Sequence, residues 1–230
     1  MRFVFLIGFI LALWYGSVLG RGWKTSTSTS TTSGGPPPHN NVALMARYII
    51  HNSNWLSLAT ISTRDSIKGF PFVSLKSLSD GPMDNSTGTP YLYMTNMDVS
   101  GKDVLVNNNV TIMATLAASS YCDNKEYDPQ DPRCAKVIIS GRLLKVNNST
   151  SEYDFAIDSL FERHPAMKDW PAGHEFYVAK IELQQILVLD YFGGIKEVTP
   201  TDYFNAQLSD LVNLDFYLRG IKIVAIGGNL

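Results

Sequence analysis

The chain has 230 residues, 45% of them hydrophobic, and a formal net charge of −2, with a pI near 6.1. That balance offers no broad electrostatic attraction to nucleic acid. No basic run is interleaved with aromatics either, so direct DNA or RNA binding is not expected.

In chain order, Arg2 precedes the apolar run Phe3 to Tyr15, and Val18-Leu-Gly20 offers small or tolerated residues to a signal peptidase. Residues 1–20 therefore read as a signal peptide cleaved after Gly20. The run is shorter than the roughly 20 apolar residues of a spanning helix. Residues 21–40 carry Ser/Thr repeats and Gly34-Gly-Pro-Pro-Pro38, which bury nothing and read as a disordered linker that could also carry O-linked sugars. Residues 41–206 suffice for one domain. Residues 207–230 form a tail of unknown structure. Its apolar end, Ile221 to Leu230, is broken by Gly227 and Gly228 and lacks the length and spacing of a lipid-anchor signal.

Within the domain, Val42, Met45, Ala46, Ile49 and Ile50 share a helical face, with Asn40 or Asn41 suited to cap it. Strands are predicted for 55–62 and 70–78, antiparallel across a polar link, with Pro71 near a strand start or edge. Residues 91–95 resume the sheet after the loop through Gly88, and a short helix is predicted around 99–106. Strands at 110–117, 136–146, 175–182 and 186–191 follow, several of them apolar on both faces, as in a small closed barrel covered by helices or a partner. Residues 151–164 read as a helix with the apolar stripe Tyr153, Phe155, Ile157, Leu160 and Phe161, stopped by Pro165. A last short helix starts at Thr199-Pro200. The class is mainly β with peripheral helices (α+β), and strand succeeding strand argues against a doubly wound parallel sheet.

Cys122 and Cys134 bracket a loop rich in turn residues. In an exported chain the pair reads as a disulfide, with two buried thiols as the alternative; the spacing does not suit zinc. N-glycosylation sequons stand at Asn85, Asn109, Asn147 and Asn148. Asn85 and the adjacent 147/148 pair fall in polar turns, where the pair has room for one sugar, whereas Asn109 opens a predicted core strand. Nucleophile-elbow, phosphate-loop, dinucleotide and zinc-helix motifs are all missing from the sequence. His39 lies in the linker. His51 ends the first helix, where a cation suits the dipole, and His164 and His174 flank Trp170, read as a helix cap and a loop hydrogen bond ahead of an acid–base pair. Asp154 and Asp158 form a solvated helix face. Gly193-Gly194 makes a tight turn with close backbone approach. No catalytic, metal or cofactor-binding residue is assigned.

Five segments carry a resemblance: Trp55 to Thr63; Pro71-Phe72 leading to Ser77-Leu-Ser-Asp-Gly-Pro82; Asp128-Pro-Gln-x-Pro-x-Cys134; Leu160-Phe-x-Arg-His-Pro-x-Met-x-x-Trp-Pro171; and Val188-Leu-Asp-Tyr-Phe-Gly-Gly194. In this order they resemble the CREG family, secreted glycoproteins named as cellular repressors of adenovirus-stimulated genes, over about residues 42–205. The resemblance implies an FMN-binding-like split β-barrel, normally a homodimer. It also implies an unused flavin site, part of the pocket being filled by the chain itself, and hence no cofactor. Lys68, Lys76, Lys136 and Arg142 are the cations available for a flavin phosphate, and none is assigned to one. The functional expectation is a non-catalytic glycoprotein, secreted or endosomal-lysosomal, with no membrane span in the mature chain. It would influence growth and differentiation through a glycan-dependent sorting receptor or a cell-surface receptor. The alternative is a flavin- or haem-dependent oxidoreductase with a site at the dimer interface. The Ser/Thr-rich arm and the tail after Gln207 depart from the family.

Overall fold

The computed structural model describes residues 35–209. The expected signal peptide, the Ser/Thr arm and most of the C-terminal tail lie outside that range. Seven antiparallel strands follow the order β3-β2-β1-β4-β5-β6-β7, and β3 also pairs with β6, so six strands close into a barrel with β7 appended outside the ring. The strands are β1 (Trp55–Ile61), β2 (Pro71–Ser79), β3 (Tyr91–Met94), β4 (Asn109–Thr115), β5 (Lys136–Lys145), β6 (Tyr177–Leu189) and β7 (Lys196–Val198). The helices are α1 (Val42–Asn52), α2 (Val99–Val106), α3 (Tyr121–Asn124), α4 (Ser151–Arg163) and α5 (Pro200–Asn205). Among the described residues no helix is long and apolar enough to cross a membrane.

The period-2 alternation of strands sends Leu56 and Leu58 of β1, Val110, Ile112 and Ala114 of β4, and Val137 and Ile139 of β5 into the barrel. Met45, Ala46, Ile49 and Ile50 of α1 join that core. A second, smaller core holds α4 on the outside of the ring, with Ala156 and Leu160 against Tyr91, Val146 and Val178. Thr150 caps α4 by accepting from the Tyr153 amide, and Thr199 caps α5 in the same way through Asp202. Asn41 occupies the N-cap position of α1 but makes no side-chain bond there.

Four further details depart from the sequence reading. The two strands expected at 175–182 and 186–191 are one strand, β6, whose register against β5 slips where Ser140 pairs Gln185 and Gly141 pairs Leu183. The extra residue, Gln184, is a bulge that switches the buried positions from 177, 179, 181 and 183 to 186 and 188, keeping both halves apolar inward. The short elements α3 and β7 had no periodicity to announce them. The end of the expected linker is held to the barrel: Pro37 is buried, and Lys196 Nζ donates to the His39 carbonyl oxygen at 2.8 Å. Gly193 and Gly194 adopt φ of +114° and +97° with open space around them, so the turn needs their conformation and not a close approach.

Candidate functional site

Closing the barrel leaves one broad sheet face uncovered. Outward positions line up across the register as Leu75–Ser57–Met113–Ile138–Leu187 on β2, β1, β4, β5 and β6. The neighbouring row runs Val73–Ala59–Thr111–Ser140–Gln185. Leu75 and Val73 keep 65% and 60% of their surface exposed, with Trp55, Ile61 and Met113 also open, so no described segment covers this patch. Contiguous apolar exposure of this kind marks an interaction surface. The rows carry no charge. At their polar end lies a groove of about 580 Å³ lined by Ala59, Ile61, Asn109, Thr111, Ser140 and Arg142 among others. There Asn109 stands opposite Arg142, and the Thr111 and Ser140 hydroxyls are 2.9 Å apart.

On the far side, the loop after β2 is built around a buried charge network. Asp80 Oδ1 lies 2.7 Å from His51 Nδ1 and accepts from Arg163 Nη2 at 3.0 Å. Asp80 Oδ2 accepts from the Ser86 hydroxyl at 2.5 Å and the Gly88 amide at 3.3 Å. His51 Nε2 sits 3.1 Å from the Met83 carbonyl oxygen. Burial works to raise the Asp80 pKa, but hydrogen bonds from His51 and Ser86 and the Arg163 charge outweigh it and hold the carboxyl below its ordinary value. His51 stands in the last turn of α1 as expected, but buried and bonded to Asp80. The network holds loop 81–88, with Asn85 exposed at its tip.

Elsewhere the expected residues are dispersed. His164 Nε2 pairs with the Leu78 carbonyl oxygen at 3.0 Å, while the His174 ring sits against Phe176, so the pair is not assembled for acid–base work. Asp154 and Asp158 are exposed. Cys122 and Cys134 are disulfide-bonded. Asn109, Asn147 and Asn148 are all exposed, and Asn109 faces out of the barrel wall instead of into the core. Sequence reasoning overlooked Asp80 and Arg163, because nothing in their spacing announces a contact across 83 positions.

A family model described as CREG, beta-barrel matches residues 37–205. The chain belongs to the CREG β-barrel family. It is 46% identical to Protein CREG1 of Mus musculus over 164 residues, covering 71% of this chain and 74% of that one. It is 44% identical to Protein CREG1 of Gallus gallus, covering 72% and 86%, and 36% identical to Protein CREG2 of Homo sapiens, covering 71% and 56%. Among solved structures, the heme binding protein from Mycobacterium smegmatis superposes with a TM-score of 0.57 at 20% identity, over 74% of this chain and 62% of that one. Campylobacter jejuni ChuZ gives 0.51 at 14%, over 69% and 57%. At these identities the structural likeness shows the fold alone: this CREG-family chain is a split barrel, as its sequence implied.

The cations available for a flavin phosphate are dispersed over the fold. Lys76 is paired with Asp98, and Lys136 donates to the Pro129 and Gln130 carbonyl oxygens. Lys68 is exposed in the β1–β2 connection, and Arg142 lies in the outer groove. These four do not assemble the cationic cluster that a flavin phosphate requires. Both ring nitrogens of His51 are engaged with protein oxygens, which removes it as a free axial ligand for haem iron, and Nε2 of His164 is engaged with the Leu78 carbonyl oxygen.

Proposed function

We propose that the protein is a non-catalytic, homodimeric glycoprotein, secreted or endosomal-lysosomal, acting through a glycan-dependent sorting receptor or a cell-surface receptor. The carrying observation is the uncovered, uncharged row Leu75–Ser57–Met113–Ile138–Leu187. A second copy of the chain is its fitting occupant: an isologous contact sets apolar row on apolar row without burying an unpaired charge. Family membership supports the same reading, as do exposed sequons at Asn85, Asn147 and Asn148, none of which belongs to the two rows.

The test is light scattering on protein secreted from animal cells, together with an absorbance spectrum after added FMN or haemin has been removed by gel filtration. A colourless dimer is expected, converted to a monomer of unchanged helix and strand content by Leu75→Asp. Wild-type protein that stays monomeric without sugar at Asn109 would overturn the pairing. A chromophore retained in stoichiometric amount would instead favour the oxidoreductase reading.

A further inference from the structure

A separate cavity of about 170 Å³ lies beside the disulfide loop, bounded by Tyr121, Tyr127, Arg133, Tyr191, His39 and Asp190, with Pro36 and Pro37 over it. Its wall is fixed covalently. The Cys122–Cys134 bond closes the loop that carries Tyr127 and Arg133 and anchors Tyr121 next to it. Tyr191 is held by His39, whose ring stacks on it at 4.3 Å and 14°. Arg133 lies over the Tyr127 ring at 4.2 Å, and its charge is met by the bidentate contact to Asp131.

Asp190 is the unexplained group. It is 3% exposed. Its Oδ1 accepts from Lys196 Nζ at 2.8 Å, while its Oδ2 is buried with no hydrogen-bond partner among the described residues. Lys196 also donates to the His39 carbonyl oxygen, so it approaches only one of the two carboxylate oxygens. A buried carboxylate oxygen without a donor is costly unless something supplies one. In a cavity lined by Tyr121, Tyr127 and Tyr191, the favoured donor is a cation bearing N–H groups, because the carboxylate oxygen needs a proton to accept and aromatic rings tolerate a neighbouring positive charge.

We infer that this cavity binds a protonated primary amine. The ammonium donates to Asp190 Oδ2, and its alkyl stem lies against Tyr121, Tyr127 and Tyr191. The amine is either a free alkylamine or a lysine side chain of a partner polypeptide. A quaternary ammonium satisfies the rings but not the oxygen, and an alcohol supplies a donor without the charge, so both bind more weakly.

The test is saturation-transfer NMR on the glycosylated full chain with butylammonium, tetramethylammonium, butanol and N-acetyl-lysine-methylamide as probes. Butylammonium should bind with a dissociation constant in the millimolar range, about tenfold more tightly than butanol or tetramethylammonium. Asp190→Asn and Tyr191→Leu should each weaken it by about tenfold. Asp190→Asn also disturbs Lys196, so Lys196→Met provides the second arm: by freeing Oδ1 it should tighten butylammonium by a few-fold. The lysine derivative binding as well as butylammonium assigns the site to a polypeptide side chain; butylammonium alone assigns it to a free amine. Equal signals from butanol and butylammonium, or unchanged affinity in Asp190→Asn and Tyr191→Leu, would mean that water satisfies Oδ2 and would overturn the proposal.

Discussion

Asp80 gathers partners from two distant stretches of chain and from its own loop: His51 at the end of α1, Arg163 at the end of α4, and Ser86 and Gly88 nearby. Removing the carboxylate charge leaves Arg163 buried and short of its counterion, so Asp80→Asn should cost about 3–5 kcal/mol, measured by denaturant unfolding. The pH dependence follows from a depressed carboxyl pKa. The stabilisation is fully present above the unfolded aspartate's value of about 3.9 and is lost as pH falls through the lower folded value. Unfolding followed from pH 7 down to pH 2 should therefore show the Asp80 contribution intact at pH 5 and disappearing below about pH 4, with the Asp80→Asn curve flatter in that acid range. A loss already complete at pH 5 would contradict the network. At this scale the sequence was least legible. His51 looked like a dipole partner because its helix position is local information, whereas its burial depends on residues 29 and 112 positions away.

Elements with a sustained apolar period were legible to within a residue or two. Helix α4 ends before Pro165 as its composition requires, and β1 and β2 form the expected antiparallel pair. β6 was misread as two strands because the bulge at Gln184 reverses the side-chain parity mid-strand, and Gln184-Gln185 imitates a turn. The disulfide loop is the element whose energetics are simplest to test. Cys122 and Cys134 are 12 positions apart, so replacing both by serine should cost about 3 kcal/mol through the freed unfolded chain. Thermal unfolding of the double variant should show a lower Tm with the barrel's circular dichroism unchanged. An unaltered Tm would mean that loop closure contributes nothing to stability.

For the whole molecule, the barrel class and the apolarity of both strand faces were readable, but not which outer face stays open. That depends on where α4 docks and on the closure between β3 and β6. The open face also carries the sequon at Asn109, in the groove at its polar end. A glycan there is incompatible with a second barrel pressed against the same wall. Secreted protein should thus separate into a dimer lacking sugar at Asn109 and a monomer bearing it, with Asn109→Gln shifting all material to the dimer; glycopeptide mass spectrometry of the two fractions decides. Dimers fully occupied at Asn109 would place the pairing surface elsewhere. The ring closes by pairing Tyr91 with Lys180, 89 positions later in the chain. A chain made from its N-terminus cannot shut its barrel until that later strand exists. The asparagines at 85, 109, 147 and 148 all precede it, so each emerges from the ribosome on an open sheet. For an exported chain glycosylated as it is made, barrel closure cannot shield any of them, and under the proposed pairing the occupancy of Asn109 would set the ratio of monomer to dimer during synthesis.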